Sequence, residues 1–109
     1  MIRLSLPLPP SVNHTYLHTR RGVILSERAR SYRDAVGWQC KGLEVPAAGP
    51  LVLRVWIGGR GDLDNRLKQL QDAIAAGLGF NDARIAELHV WRVKGQKGAT
   101  VELAWEVRT

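Results

Sequence analysis

Hydrophobic and polar residues alternate in four stretches of the chain, with the two-residue period of a β-strand. The first stretch, Ile2 to Leu8, runs into Pro7-Leu8-Pro9-Pro10, which ends it because proline removes a donor from the strand ladder. The remaining predicted strands are Leu51–Ile57, Glu87–Val93 and Thr100–Val107. The glycine-containing segment Lys94–Gly98 predicts a hairpin that pairs the last two strands.

Two other stretches place apolar residues three and four positions apart, which is the period of an amphipathic helix. The first predicted helix starts at Ser26, a favourable N-cap, and runs to about Leu43. Trp38 falls opposite its apolar stripe, on the face expected to contact water or a partner. The second helix covers Leu63–Leu78. Between the first strand and the first helix, Tyr16-Leu17 and Val23-Ile24-Leu25 are expected to form a small hairpin.

The main elements therefore follow the order β-α-β-α-β-β. This order predicts an α+β fold with one mixed or antiparallel sheet and two main helices. A chain of 109 residues is expected to form a single domain over residues 1–109.

The overall charge favours a polyanionic partner. The formal net charge is +6, and 12 of the 16 basic residues are arginines, which suit forked contacts to phosphate. A solvated basic surface without a partner is the plainer alternative. The single cysteine, Cys40, forms no internal disulfide and indicates a reducing cytoplasm. No apolar run approaches the ~20 residues of a membrane helix, so no membrane association is expected.

The candidate chemistry is concentrated between Gly58 and Lys68, where glycines precede two carboxylates at the junction of a strand and a helix. In extended backbone Asp62 and Asp64 point to the same side, and Mg²⁺ typically takes one or two carboxylates with waters and phosphate. Lys68 follows Asp64 by one helical turn and can meet a phosphate there. In the alternative interpretation an aspartate only caps the helix and Lys68 only pairs with Asp64 and Asp72.

Several motifs together resemble the RusA family of Holliday-junction resolvases. They are the opening Pro9–His14, the helical segment Ser26–Arg33, Asp62-Leu63-Asp64-Asn65 with Lys68, and Asn81-Asp82-Ala83. The combination spans most of the chain in the family's order and is specific, whereas Asp-x-Asp alone is weak.

The resemblance implies a small, homodimeric, Mg²⁺-dependent endonuclease that nicks paired strands at four-way DNA junctions during recombination and repair. It implies that Asp62, Asp64 and Asp82 bind the metal, for which Mn²⁺ can substitute, and that Lys68 is catalytic. It gives Asn13 and Asn65 supporting roles and implies no small-molecule cofactor. Each nick would leave a 5′-phosphate and a 3′-hydroxyl. One departure is Gly61, which stands where family members often carry a base.

A set of polar and basic residues is expected to hold the DNA backbone: Asn13, Arg20, Arg21, Arg30, Arg33, Arg60, Arg66, Lys94 and Lys97. Two other functions fit the residues. One is a non-catalytic nucleic-acid-binding module whose acids are helix caps. The other is a Mg²⁺-dependent phosphotransfer enzyme acting on small substrates, which the positive charge disfavours.

Overall fold

The structure is a computed structural model that describes residues 1–10, 16–20 and 22–105. Its elements follow the predicted order, and the α+β class is confirmed. Two helices pack on a four-stranded sheet, and a two-stranded hairpin stands apart. The strands and helices are β1 Ile2–Pro7, β2 Tyr16–Thr19, β3 Gly22–Leu25, α1 Glu27–Cys40, β4 Leu51–Ile57, α2 Leu63–Leu78, β5 Ile85–Arg92 and β6 Gly98–Trp105. A short 3-10 turn, Asp82–Arg84, precedes β5.

The sheet order is β1-β6-β4-β5, which corrects the predicted pairing of the last two strands. β5 pairs in parallel with β4, and β6 pairs antiparallel with β4 on its other side. The segment between β5 and β6 therefore crosses the end of β4 and is no hairpin loop. Two hydrogen bonds fix the crossing, from Val93 N to Ile57 O and from Gly58 N to Gly98 O, both 2.9 Å. Because α2 returns the chain to the start of β4, β5 can add only as a parallel strand.

The hydrophobic core of the described residues lies between one face of the sheet and the two helices. Alternate residues of β4 are fully buried, as the two-residue period predicts, and they pack against the apolar stripes of both helices. The main core side chains are Leu4, Tyr32, Val36, Cys40, Leu51, Leu53, Val55, Ile57, Leu70, Ile74, Val101 and Leu103. In the described part of the chain, no helix covers the opposite face of the sheet.

The helix starts agree with the sequence, but one helix end does not. The Ser26 hydroxyl accepts a hydrogen bond from Ala29 N at 3.2 Å and caps α1, as predicted. The helix stops at Cys40, because Lys41 leaves helical backbone angles with ψ at 127°, and Leu43 is 39% exposed. The prediction of a helix to Leu43 is therefore wrong by one turn. Trp38 is 73% exposed, as expected for its position.

The remaining boundaries shift by a few residues. β5 begins at Ile85, before the predicted Glu87, and β6 begins at Gly98, before the predicted Thr100. The predicted end of β6 at Val107 lies outside the described residues. The hairpin of β2 and β3 is confirmed. No helix in the described part of the chain is long and apolar enough to span a bilayer.

Candidate active site

Asp62 and Asp64 lie at the carboxyl end of β4, where the chain turns into α2. Asp62 occupies the N-cap position with extended backbone angles, yet its side chain accepts no capping hydrogen bond. Asp64 lies in the first turn, and both residues are exposed. A helix cap satisfies backbone N–H groups through its side-chain oxygen, and the Asp62 carboxylate does not do this. The capping interpretation of Asp62 is therefore wrong, and its carboxylate is available for other ligands.

The donors at this end suit a hard divalent cation. Asp62 and Asp64 supply carboxylate oxygens, and the half-buried Asn65 beside them adds an amide. Mg²⁺ is commonly held by one or two carboxylates together with waters and substrate phosphate, and the exposure of both carboxylates leaves room for these. The donor set of this loop therefore fits Mg²⁺, although it provides two acids and not three.

Asp82 lies at the opposite end of the sheet. It precedes β5, whose first residue Ile85 pairs with Leu51 at the start of β4, whereas Asp62 follows the end of β4. The intervening helix α2 has 16 residues and spans about 24 Å. Among the described residues no three Asp, Glu, His or Cys side chains approach closely enough to share a metal ion. One copy of the chain thus does not bring Asp82 to Asp62 and Asp64.

Lys68 lies on α2 one turn after Asp64, with its side chain 63% exposed. Its Nζ is 3.9 Å from Asp72 Oδ2, and an Arg33 nitrogen is 3.9 Å from the same oxygen. An ion pair of this length with an exposed lysine contributes little to stability, so Lys68 can leave Asp72, which keeps Arg33 beside it, for a phosphate at little cost. The predicted pairing with Asp72 is present in the structure and does not remove the lysine from the site.

The predicted DNA-contacting residues fall into three groups. One group lies near the carboxyl end of β4. It consists of Arg60 on the loop to α2, Arg66 on the first turn of α2, and Lys94 and Lys97 on the segment that crosses β4. Arg20 is exposed in the turn of the small hairpin, and Arg30 and Arg33 lie on α1. Asn13 and Arg21 are outside the described residues. The acids Asp62 and Asp64 are thus set among bases.

No family model matches the chain, but curated proteins do. The crossover junction endodeoxyribonuclease of Enterobacteria phage 82 is 35% identical over 107 residues, which cover 92% of this chain and 89% of the relative. The RusA proteins of Escherichia coli K12 and of Shigella sonnei are each 34% identical over the same shares. The chain belongs to the RusA family. The resemblance seen in the motifs is confirmed.

In this RusA family chain, Arg66 plays a part that its sequence position does not show. Its side chain donates to Arg60 O at 3.2 Å and to Pro9 O at 2.6 Å, so the guanidinium is directed toward the protein backbone. Its assignment as a DNA contact remains a prediction. Arg66 also borders a groove of about 600 Å³, formed with the end of β1 and with α1.

Sequence reasoning missed Arg92, at the end of β5. Its guanidinium donates to Gly61 O and, at 3.4 Å, to Gly59 O in the loop that leads to Asp62. The contact depends on the parallel pairing that sets Arg92 beside Ile57. Because a hairpin with β6 was predicted instead, no signal in the sequence placed this arginine near the acids.

Cys40 supplies no chemistry to the site. It is 2% exposed and packs at the far ends of the two helices, where its Sγ faces Gly77. Burial raises the pKa of its thiol, so the nucleophilic thiolate is disfavoured. The prediction of a core role for Cys40 is confirmed.

Proposed function

We propose that the protein is a Mg²⁺-dependent, structure-selective endodeoxyribonuclease that resolves Holliday junctions by paired symmetric nicks, in the course of DNA recombination and repair. Support comes from relatives named crossover junction endodeoxyribonuclease that match along 89% of their length. The observation that carries the proposal is the pair Asp62 and Asp64, both exposed and with Asp62 free of the capping bond that its position would allow. A non-catalytic DNA-binding module would have no use for such a pair.

Asp62 and Asp64 would hold the metal together with Asp82 of the partner subunit. A bound Mg²⁺, or Mn²⁺ in its place, supplies activation of the attacking water and neutralisation of charge at the scissile phosphate. Lys68 extends from the next turn of the same helix and donates to a phosphate oxygen, which stabilises the extra negative charge of the transition state. Cleavage leaves a 5′-phosphate and a 3′-hydroxyl. Asn65 supports the orientation of the neighbouring carboxylates.

The separation of Asp82 from Asp62 and Asp64 supports a homodimer, in which two copies of the chain complete each other's metal site. Asp62 and Asp82 lie at opposite ends of the unit formed by β4, α2 and β5. A second copy related by a two-fold axis can therefore place its Asp82 beside Asp62 of the first copy, and the first copy's Asp82 then lies beside Asp62 of the second. β5 is an edge strand on this side, and its Leu88 is 41% exposed. Such a dimer has two equivalent sites, which suits two symmetric nicks in one junction.

The basic residues around the acids would grip the phosphate backbone of the four arms. With a net charge of +6, junction binding should weaken steeply as salt rises, since each neutralised phosphate releases counterions. Arg60 lies two residues before Asp62, and Lys94 and Lys97 lie on the segment that crosses the same end of β4, so these three are the first to test. The single buried cysteine accords with action in the reducing cytoplasm.

The deciding experiment is cleavage of a synthetic four-way junction by the wild type and by Asp64→Asn. We expect the variant to bind the junction with unchanged affinity and to cut it at least about 1,000-fold more slowly, because a metal ligand is lost. Asp34→Asn removes an exposed carboxylate of α1 and is the matched control, which should cut normally. If the wild type binds junctions but never cuts them with Mg²⁺ or Mn²⁺, the protein is a binding module and the proposal fails.

A further inference from the structure

The loop between β4 and α2 is held by two arginines from different elements of the fold. Three successive carbonyls, those of Gly59, Arg60 and Gly61, each accept a hydrogen bond from a guanidinium. Arg92 of β5 reaches the first and third, and Arg66 of α2 reaches the second. Asp62 is the next residue along the chain. The backbone directly before the candidate metal ligand is thus hydrogen-bonded to charged side chains, although the loop itself is exposed.

This loop would be mobile without such contacts. Gly59 and Gly61 have positive φ angles of 83° and 89°, a region open to glycine at little steric cost, and glycine carries the largest backbone entropy. A Cβ at residue 61 would meet nothing within 4 Å, whereas a Cβ at residue 59 would meet the Leu8 side chain, so Gly61 is the less closely packed of the two glycines. Hydrogen bonds are therefore what locates Gly61, and the donor to its carbonyl is Arg92.

Arg92 is well placed to transmit the rigidity of the sheet. Its backbone pairs with Ile57 in the parallel ladder of β4 and β5, and the next residue, Val93, donates to Ile57 O at 2.9 Å. The preceding residue, Trp91, stacks on Trp56 with ring centroids 5.1 Å apart, on the face of the sheet away from the helices. Successive residues of a strand point to opposite faces, so Arg92 points to the helix side. Arg92 therefore projects to the side on which the loop leaves for α2.

We propose that Arg92 is a positioning residue for junction cleavage, which holds the Gly59–Gly61 backbone so that Asp62 presents its carboxylate beside Asp64 in one fixed arrangement. The inference rests on the proposed nuclease function. Some residues contact a metal ligand without binding the metal themselves. Removing such a residue typically lowers metal affinity about 10- to 100-fold. Arg92 acts one step further out, through the backbone, so the lower end of that range applies.

The test compares wild type, Arg92→Ala, Arg92→Lys and Arg54→Ala. Arg54 lies on the neighbouring strand β4 and points to the opposite face, so its loss removes the same charge without touching the loop. For Arg92→Ala we expect the Mg²⁺ concentration for half-maximal cleavage to rise about tenfold, with cleavage restored at saturating Mg²⁺. Arg92→Lys keeps one donor and should fall between, and Arg54→Ala should match wild type.

Two measurements without catalysis separate this role from the alternatives. NMR relaxation of the free protein should show lower backbone order parameters at Gly61 and Asp62 in Arg92→Ala than in wild type. Junction affinity without metal should be equal in Arg92→Ala and Arg54→Ala.

The inference is overturned if the order parameters of Gly61 and Asp62 are unchanged. It is also overturned if Arg92→Ala weakens metal-free junction binding and lowers the salt slope by about one, the mark of a lost phosphate contact. Absence of cleavage by the wild type would instead refute the nuclease function, and the relaxation result would still report on the loop.

Discussion

Gly58 lies directly against the main-chain carbonyl of Gln96, so close that any side chain at residue 58 would collide with it. The Gln96 side chain fastens the same crossing, since its Nε2 donates to Trp56 O at 2.8 Å and to Gly98 O at 3.0 Å. The first glycine before the acids therefore lets one segment of the chain pass over the end of β4. Gly58 is thus required by the fold itself, independently of any contact with phosphate.

Gly58→Ala should lower the free energy of unfolding by at least about 2 kcal/mol, because the collision is with backbone that cannot rotate away. Gly37→Ala is the opposite control. Gly37 lies within α1 and a Cβ there meets nothing within 4 Å, so the change should raise stability by about 0.5–1 kcal/mol through helix propensity. Urea unfolding of both variants checks this. Equal midpoints would contradict the crossing as described.

The sequence predicted the elements well because their signals are local. Leu51–Ile57 was assigned with its observed bounds from alternation, and Leu63–Leu78 from its apolar stripe with Gly79 beyond it. Asp62, Asp64 and Lys68 were named together because they share one strand-to-helix junction, which the structure keeps.

The pairing of strands was not predictable in the same way. The alternation in β6 is the same whether this strand pairs with β5 or lies between β1 and β4. The two-residue period determines which side chains face the core, but it does not determine which strand lies alongside. Two consequences followed from that one ambiguity. The position of Asp82 relative to Asp62 and the contact of Arg92 with the loop both depend on β5 being parallel to β4.

Tyr32 should make the protein sensitive to alkali. Its hydroxyl is buried and has no hydrogen-bond partner among the described residues, and burial raises its pKa above the ordinary value of 10.0. Above pH 10 the unfolded chain releases this proton and the folded chain keeps it, so the unfolded state binds fewer protons and stability falls as pH rises. Below pH 10 the Tyr32 proton is bound in both states, so this loss of stability is absent there.

Tyr32→Phe tests this linkage in two ways. At neutral pH the variant should be more stable by about 1 kcal/mol, because an unpaired buried hydroxyl is removed without a change of shape. Between pH 10 and 11 its stability should fall less steeply than that of wild type, measured by urea unfolding at each pH. Parallel slopes would mean that the hydroxyl ionises equally in both states.

Cys40 should react slowly with thiol reagents in the folded protein. The side chain is 2% exposed, and the raised pKa of the thiol lowers the thiolate fraction. At pH 8 we expect labelling by a disulfide reagent to be roughly a hundredfold slower than in urea, because modification requires local opening. Rapid labelling of the native protein would place the ends of α1 and α2 further apart than the structure has them.

Mixing two inactive variants tests whether each active site is shared between subunits. If Asp64 of one subunit acts with Asp82 of the partner subunit, a dimer of one Asp64→Asn chain and one Asp82→Asn chain has one site with both changes and one site with neither. Such mixed dimers should nick a four-way junction although each variant alone is inactive. If all three acids acted within one chain, every site in the mixture would carry a change.

The measurement is cleavage of a junction labelled on one strand, after the two variants have been unfolded together and refolded. Random assortment makes about half of the dimers mixed, so nicking should recover to roughly a quarter of the wild-type sites. Paired cutting of one junction should stay low, because a mixed dimer has a single intact site. A mixture of Asp64→Asn with Asp62→Asn is the control, since both changes fall on the same side of every site and no intact site can form. Recovery in that control, or none in the first mixture, would contradict the shared site that the distance between Asp62 and Asp82 implies.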